Sequence, residues 1–187
     1  MRVIAGRYAR KQLVSPAGFL TRPTADRARE ALFNILQHQD WGRDVLTGAQ
    51  VLDVCAGTGA LGLEALSRGA AAVTFMESEA AAIAAIKQNI AALGVQSLCK
   101  ILRGDAAAPP RAGQGYNLLF CDPPYHQGWP EKIILALIAQ GWVAPDALLV
   151  LETARDEKPT LPPQFRPQLV RNYGVANIGF WRFVPQA

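Results

Sequence analysis

The segment from Val51 to Gly62, which reads VLDVCAGTGALG, constrains this chain more than any other. Its first residues have the apolar character of a buried strand, and a helical run begins at Ala60. Gly57 and Gly59 let the backbone turn sharply and approach a ligand, because glycine has no Cβ. The helix that follows presents free N–H groups toward that ligand. The segment therefore predicts a strand, a ligand-binding loop and a helix.

The identity of the ligand depends on Asp53. Positions 57–62 match the dinucleotide pattern G-x-G-x-x-G, and Glu77 follows Gly57 by twenty residues. However, Asp53 ends the strand where it should face the cofactor, and a carboxylate there repels a pyrophosphate by several kcal/mol. It suits an ammonium group, which S-adenosylmethionine carries, and that cofactor has no phosphate. The segment therefore favours S-adenosylmethionine over a dinucleotide, with a glycine turn that binds nothing as the third interpretation.

Strands and helices alternate from Gln50 onward. Apolar runs predict strands at 50–54, 72–76, 99–102, 116–121 and 147–152, with helical patterns between most of them. Such alternation is typical of a parallel sheet with helices on both faces, which makes this an α/β domain. Beyond a proline-rich turn, 168–173 and 177–184 predict a closing antiparallel hairpin. The glycine loop thus belongs to a doubly covered sheet.

The amino-terminal region differs from the rest in pattern and charge. Residues 2–14 predict a hairpin, and Thr24 is a candidate cap for the helix that follows. We therefore divide the chain into an extension, 1–40, and a main domain, 41–187.

Residues 1–30 hold seven basic side chains against two acidic ones, while the remainder is close to neutral. This asymmetry suggests a polyanionic partner such as nucleic acid, although a solvated tail is the alternative. The predicted phosphate-binding residues are Arg7, Arg10, Lys11 and Arg22.

Composition narrows the class of protein further. No apolar run approaches the length of a membrane span, and the amino terminus lacks the apolar core of a signal peptide. Cys55, Cys99 and Cys121 show no metal-ligand spacing, so they look like reduced core residues. We expect a cytoplasmic protein without a metal site, and a monomer.

Four acidic residues fall just past predicted strand ends: Asp53, Glu77, Asp105 and Asp122. In open α/β sheets, ligands bind beyond the carboxyl ends of the strands, where strand order reverses. Carboxylates there accept hydrogen bonds from hydroxyls and amines, which fits a nucleoside cofactor. Glu77 is predicted to bind a ribose diol and Asp105 an adenine amino group; an exposed charge at a strand end is the alternative for each.

The sequence Asp122-Pro123-Pro124-Tyr125 is the most specific signal in the chain. Two consecutive prolines have no N–H donors, so the segment offers acceptors beside the Asp122 carboxylate. Such a cluster is complementary to an exocyclic –NH₂ group. Tyr125 offers a face on which a planar base can stack. These four residues are therefore the predicted catalytic group.

These motifs together resemble a known family. Asp-Pro-Pro-Tyr after a glycine-loop domain resembles amino-group methyltransferases, and the blocks at 1–6, 22–34 and 59–70 resemble the RsmD family of bacterial ribosomal RNA methyltransferases. The resemblance implies a Rossmann-like class I methyltransferase sheet of seven strands ending in an antiparallel hairpin. It implies S-adenosylmethionine as the methyl donor and a guanine N2 in small-subunit (16S) ribosomal RNA, free or in a ribosomal particle, as the acceptor. The residues expected around the cofactor are Asp53, Gly57, Gly59, Glu77 and Asp105.

Two alternatives remain open at the level of sequence. The same chemistry could act on adenine N6 in DNA or on a protein glutamine, although the basic amino-terminal arm and the resemblance to guanine-modifying enzymes disfavour both. A non-catalytic module that binds a dinucleotide or RNA is the other alternative. The acceptor cluster at Asp122 and the position of Asp53 disfavour it.

Overall fold

A computed structural model describes residues 1–16, 23–42 and 44–185, with side chains from residue 27 onward in the first helix. Seven strands form one sheet, with helices between them. In chain order the elements are α1 (Pro23–His38), β1 (Gln50–Val54), α2 (Ala60–Ser67), β2 (Ala72–Glu77), α3 (Ala80–Leu93), β3 (Cys99–Arg103), β4 (Tyr116–Cys121), α4 (Trp129–Ala139), β5 (Val143–Ala154), β6 (Phe165–Tyr173) and β7 (Ala176–Phe183).

The strand order explains where a ligand can bind. The sheet runs β3-β2-β1-β4-β5-β7-β6, and the first five of these strands are parallel. β7 pairs antiparallel with both β5 and β6, so the last two strands form the predicted closing hairpin. Chain order reverses between β1 and β4, which opens a crevice beyond their carboxyl ends. The predicted seven-stranded fold is confirmed.

Buried apolar side chains cover both faces of the sheet. One cluster includes Val51, Phe75 and Phe120 and packs under α1, α2 and α3. The other includes Leu52, Leu119 and Leu149 and packs under α4. Neighbouring strand residues alternate between the two clusters because successive strand side chains point to opposite faces. The predicted apolar stripe of α3 (Ile83, Ile86, Ile90 and Leu93) is buried throughout.

The amino-terminal region packs closely on this sheet. Val3 and Leu13 are buried in the same cluster as Val51. The fully buried carboxylate of Glu64 in α2 accepts hydrogen bonds from the backbone N–H groups of Ile4 (2.7 Å) and Ala5 (3.1 Å). The boundary at residue 40 stays a prediction, and residues on both sides of it share one core.

The expected amino-terminal hairpin is present as one short antiparallel pairing, in which the N–H of Val3 donates to the carbonyl of Lys11 (3.0 Å) and the N–H of Leu13 to that of Met1 (3.1 Å). A single antiparallel bridge joins Arg2 to Gln12, and turns occupy most of the segment between them. The pairing is therefore shorter than predicted, with a single bridge in place of two regular strands. The pairing does not extend along the segment, because the N–H groups of Ile4, Ala5 and Arg7 donate to Glu64 or to the carbonyl of Ser67 in α2.

Several other boundaries differ from the predicted ones, and β6, for example, begins at Phe165 and not at residue 168. α1 begins at Pro23, whose fixed φ suits a first helical turn, so Thr24 lies inside the helix and does not precede it as a cap. β5 is twice the expected length, extending to Val143 at one end and Ala154 at the other, because β7 pairs with it as far as Ala154. Among the described residues, no helix combines the length and apolar character needed to cross a membrane.

Candidate active site

Three neighbouring cavities form a cleft at the carboxyl ends of β1, β2 and β4, and Cys55 lines all of them. The Asp105 cavity has a volume of about 420 Å³. The Pro123 cavity, of about 470 Å³, is lined also by Gly57 and Glu77. The Glu152 cavity, of about 370 Å³, lies under α1. Asp122 lines both the Pro123 and the Glu152 cavities, so the acceptor cluster lies at the junction of the cleft.

Asp53 lies at the base of this cleft and supports the glycine loop. Its side chain is 1% exposed, and its Oδ2 accepts a 2.8 Å hydrogen bond from the backbone N–H of Gly62. Burial raises the pKa of Asp53 to about 8; the Gly62 hydrogen bond opposes the shift and the charge of Glu77 adds to it. Asp53 also lines the Glu152 cavity. It can therefore hold the loop and still present a polar edge to a ligand.

Glu77 closes the other side of the loop. One carboxylate oxygen accepts a 2.7 Å hydrogen bond from the N–H of Gly57, while the other accepts from Ser78 and Glu79 at the start of α3. Gly57 has a φ of +55°, and no atom would lie within 4 Å of a Cβ added there. The loop is thus held open toward the Pro123 cavity, with Glu77 on its wall.

Asp105 lies at the rim of the cavity named after it. It is exposed, and its Oδ1 accepts a 2.8 Å hydrogen bond from the N–H of Ala107. Apolar groups of Ala106, Trp129 and Ile133 line the same cavity. An apolar slot with a carboxylate at its edge can hold a planar ring that carries an amino group.

The segment after β4 presents acceptors to the cleft. The N–H of Asp122 is directed at the carbonyl of Val54 (3.4 Å), and Pro123 and Pro124 have no N–H. Within the described part of the chain, no protein group donates a hydrogen bond to the Asp122 carboxylate. The other three predicted acids all accept backbone donors, so Asp122 is the one that remains available to a substrate.

Tyr125 is oriented by an acid that the sequence analysis did not include in the site. The tyrosine hydroxyl donates a 2.6 Å hydrogen bond to Oε1 of Glu152 in β5. The next residue, His126, has a φ of +61°, and its N–H donates to Oε1 of Glu157. These two bonds join the segment after β4 to β5 and to the loop that follows β5. The predicted stacking face of Tyr125 is therefore held in place.

Carboxylates shape the electrostatics of the cleft. Asp122 is exposed to the cleft, yet desolvation by the surrounding protein raises its pKa well above the usual range, and the charges of Glu152 and Asp53 add to the shift. Burial also raises the pKa of Glu152, while the hydrogen bond from Tyr125 opposes the change. The cleft consequently favours ligand groups that donate hydrogen bonds or carry positive charge.

The cysteine in the cleft is not suited to nucleophilic chemistry. Cys55 has a φ of +58° and follows β1 directly. Burial and the nearby carboxylates, first among them Glu77, raise the pKa of its thiol to about 12. Only the thiolate is nucleophilic, so Cys55 lines the cleft as a neutral group.

The predicted RNA-binding residues are only partly described. Arg7, Arg10 and Lys11 are exposed on the folded amino-terminal loop. Arg22 lies outside the described residues. Arg29, which was not predicted, is 6% exposed, lines the Glu152 cavity and donates a 2.7 Å hydrogen bond to the carbonyl of Arg2.

Glu152 could have been found by the signal that identified the other acids. It is an acidic residue at the end of an apolar run, as Asp53, Glu77 and Asp122 are. Its pairing partner Ile178 in β7 is buried, and both residues line the same cavity. Only the fold shows that Glu152 shares that cavity with Asp122.

The lining of the cleft distinguishes between the two cofactors considered. The residues that line the Asp105 and Pro123 cavities include Glu77, Glu79, Asp105 and Asp122, and none of them is Lys or Arg. A pyrophosphate would lie among carboxylates with no cation beside it, whereas an ammonium and a sulfonium group are favoured there. The residues fit S-adenosylmethionine.

Comparison with known proteins supports this interpretation. The family described as "Conserved hypothetical protein 95" matches residues 1–182. The ribosomal RNA small subunit methyltransferase D of Escherichia coli K12 is 37% identical over 163 residues, which are 87% of this chain and 79% of that protein. Its counterpart in Haemophilus influenzae is 33% identical over 168 residues, 88% of this chain and 83% of that protein.

A solved structure has the same fold over the full length of this chain. The yhhF protein of Escherichia coli superimposes with a TM-score of 0.84 at 34% identity, covering 100% of this chain and 99% of that one. The predicted cofactor, S-adenosylmethionine, is confirmed by this methyltransferase relationship. The chain belongs to the family described as "Conserved hypothetical protein 95", that of the RsmD methyltransferases.

Proposed function

We propose that this protein transfers a methyl group from S-adenosylmethionine to the exocyclic N2 amine of a guanine in small-subunit ribosomal RNA. The observation that carries the proposal is the acceptor cluster at Asp122, whose carboxylate accepts no hydrogen bond from the described residues and lies at the junction of the cleft. The names of the relatives, ribosomal RNA small subunit methyltransferase D, support ribosomal RNA as the substrate class.

The cofactor would occupy the Asp105 and Pro123 cavities. When bound, S-adenosylmethionine supplies a methyl group activated by its sulfonium centre. Asp105 would accept from its adenine amino group and Glu77 from its ribose hydroxyls, while Gly57 and Gly59 allow close approach of the loop. Asp53 would contribute negative charge near the ammonium group. Glu77, Asp105 and Gly57 line these two cavities, and Asp53 lines the adjoining Glu152 cavity.

The acceptor cluster would hold and activate the amine. The lone pair of guanine N2 is delocalised into the ring, so the amine is a weak nucleophile. Hydrogen bonds from its two protons to the Asp122 carboxylate and the Pro123 carbonyl would turn that lone pair toward the methyl group. Orientation of this kind can contribute roughly 7–11 kcal/mol to lowering the barrier. Asp122 would also stabilise the positive charge that develops on N2 and accept the proton that leaves it.

The target base must leave its stack to reach this cleft. Base-modifying enzymes act on single strands or flip the nucleotide into a pocket. The Tyr125 ring, held by Glu152, offers a stacking surface beside the acceptor cluster, worth about 1–3 kcal/mol per base. Arg7, Arg10, Lys11 and Arg22 would bind the phosphates around the flipped nucleotide.

Mass spectrometry of nucleosides tests the proposal. Small-subunit particles and naked small-subunit RNA from a strain that lacks the gene are incubated with the protein and methyl-labelled S-adenosylmethionine. We expect label in N2-methylguanosine. Label found only in N6-methyladenosine or in protein glutamine would contradict the proposal.

Two variants serve as controls for this experiment. Asp122→Ala should abolish transfer while calorimetry with S-adenosylhomocysteine shows affinity within about twofold of wild type, because Asp122 is assigned to the amine. Asp146→Asn neutralises an 83% exposed carboxylate in β5. It should leave both the methyl transfer and the affinity for S-adenosylhomocysteine unchanged. Single-turnover rates near wild type in Asp122→Ala would refute the mechanism.

A further inference from the structure

The cavity beneath α1 contains a second acceptor that the mechanism above does not use. Glu152 lines this cavity together with Asp122 and Asp53. Its side chain is half-buried on β5, one strand away from β4, which delivers Asp122. The like charges of Asp122 and Glu152 act on each other there. The cavity therefore presents two carboxylates to a ligand.

Tyr125 determines how Glu152 is presented. The 2.6 Å bond from the tyrosine hydroxyl goes to Oε1, and within the described residues this is the one hydrogen bond that the carboxylate accepts. One oxygen is thereby held, and the other retains its full capacity to accept. A carboxylate whose orientation is fixed by such a bond recognises a donor at a defined position.

Guanine has the complementary arrangement of donors. Its N1–H and N2–H₂ groups are adjacent on one edge of the ring, so two carboxylates side by side can accept from both. Adenine and cytosine carry an exocyclic amine next to an unprotonated ring nitrogen, whose lone pair would face a carboxylate. Uracil has a ring N–H but no amine. A pair of acceptors therefore selects guanine from the four bases.

We propose that Glu152 accepts a hydrogen bond from the N1–H of the target guanine while Asp122 holds N2, so that Glu152 determines the choice of base. This inference rests on the proposed function, since it assumes that guanine N2 is the acceptor. Desolvation and like charge disfavour the ionised forms of both acids, so a ligand edge with two donors relieves a repulsion that exists in the free protein. A base edge that carries an acceptor adds to this repulsion.

The test replaces one atom group in the base and one in the protein. A short RNA that contains the modified guanine, located by nuclease fragment mapping of the labelled RNA, is made with guanine or with 2-aminopurine at that position. 2-Aminopurine keeps the N2 amine but has an unprotonated N1. Single-turnover methylation is measured for both RNAs with wild type and with Glu152→Gln. The glutamine carbonyl can still accept from Tyr125, and its –NH₂ can donate to the N1 of 2-aminopurine.

We expect wild type to prefer guanine by at least about 100-fold, because a site built for a donor rejects the analogue that lacks it. In Glu152→Gln this preference should fall below about 10-fold, through slower reaction of guanine and faster reaction of 2-aminopurine. Affinity for S-adenosylhomocysteine should stay within about twofold of wild type. An unchanged preference in a variant that binds the cofactor normally would overturn the assignment of Glu152.

Two more variants complete the design. Asp146→Asn, the same acid-to-amide change on the exposed part of β5, should keep the wild-type preference. Tyr125→Phe keeps the Glu152 charge but releases its orientation, so the preference should lie between wild type and Glu152→Gln. A wild-type preference in Tyr125→Phe would refute the orienting role even if Glu152→Gln failed to fold.

The outcome also separates the two proposals. If wild type forms no N2-methylguanosine on small-subunit particles or on naked small-subunit RNA, the proposed function fails. If it forms that product and Glu152→Gln retains the full preference for guanine, the function stands and only the role of Glu152 is wrong.

Discussion

The Asp53 carboxylate accepts a 2.8 Å hydrogen bond from the backbone N–H of Gly62, which ties the end of β1 to the first turn of α2. The glycine loop lies between these two residues, so its shape is supported from below by a buried acid. Asp53 is 1% exposed. The same side chain therefore has a structural role in the free protein and a proposed role toward the ammonium group of the cofactor.

The pH dependence of the free energy of unfolding should reveal the raised pKa of Asp53. Its pKa is raised from 3.8 to about 8 in the folded protein, so folding favours the neutral form. This contribution to the free energy of unfolding is complete below about pH 4 and is lost as the pH rises through about 8. Asp53→Asn keeps an acceptor for Gly62 but does not titrate.

Urea unfolding without cofactor, repeated across this range, measures the effect. Wild type should lose stability relative to Asp53→Asn as the pH rises. Asp122 and Glu152 titrate in both proteins, so the difference reports Asp53 together with its coupling to Asp122. A difference that does not change with pH would contradict the raised pKa.

Two glycines of the loop should respond differently to substitution. A Cβ at Gly62 would lie 2.5 Å from Phe75 and 2.7 Å from Val73, and both side chains are buried. Gly62→Ala should therefore destabilise the protein by about 3 kcal/mol, the upper part of the range for overpacking.

Gly57→Ala should affect binding more than folding. Its Cβ meets no protein atom within 4 Å, so the positive φ of +55° is the main penalty, about 1–2 kcal/mol. The new methyl group would project toward the cofactor, and affinity for S-adenosylhomocysteine should fall at least about tenfold, or 1.4 kcal/mol. Urea unfolding and calorimetry of both variants test the contrast; unchanged affinity in Gly57→Ala would place the cofactor elsewhere.

Glu64 should anchor the amino-terminal loop. It is fully buried and accepts from Ile4, Ala5 and the Nε of Arg68 (2.7 Å). Glu64→Ala leaves these donors without an acceptor, which should cost about 3–5 kcal/mol.

Urea unfolding gives the stability, and amide exchange at Ile4 and Ala5 reports local release. Glu30→Ala, which removes an exposed acid from α1, should change neither. Slow exchange at both amides in Glu64→Ala would show that the remaining contacts of the loop hold it without Glu64.

The exposed basic side chains of the loop should bind RNA phosphates. Changing Arg7, Arg10 and Lys11 to Gln should reduce the slope of log affinity against log salt by about 2, at about 0.7 per phosphate of a single strand. Adding Arg22→Gln should reduce it by about 0.7 more. Affinity for S-adenosylhomocysteine should not change, because the residues assigned to the cofactor all follow residue 50.

A matched set provides the control for the salt dependence. Arg155, Arg166 and Arg171 are exposed basic residues around the carboxyl-terminal hairpin, and their change to Gln removes the same charge. We expect this triple change to leave most of the slope of log RNA affinity against log salt intact. A larger loss in this set than in the amino-terminal set would place the RNA on the hairpin.

Local pattern determined most of the secondary structure. β1 and β4 have the predicted bounds because each is a short apolar run between clear turn residues. α3 ends where Gly94 adopts a φ of +68°, as a glycine helix cap does. Asp53 and Asp122 were identifiable because an acid that follows a buried apolar run must lie at a strand end. These features depend on neighbours in the chain.

Only the tertiary structure decided what depends on distant partners. The amino-terminal hairpin is limited to one bridge because Glu64, some sixty residues away, accepts the N–H groups of Ile4 and Ala5. Asp122 is available to a substrate, whereas Asp53 and Glu77 bind loop amides. Glu152 enters the site because β5 lies beside β4 and Tyr125 reaches across to it. Hydrogen bonding and burial between remote segments follow from the fold as a whole, and no local pattern encodes them.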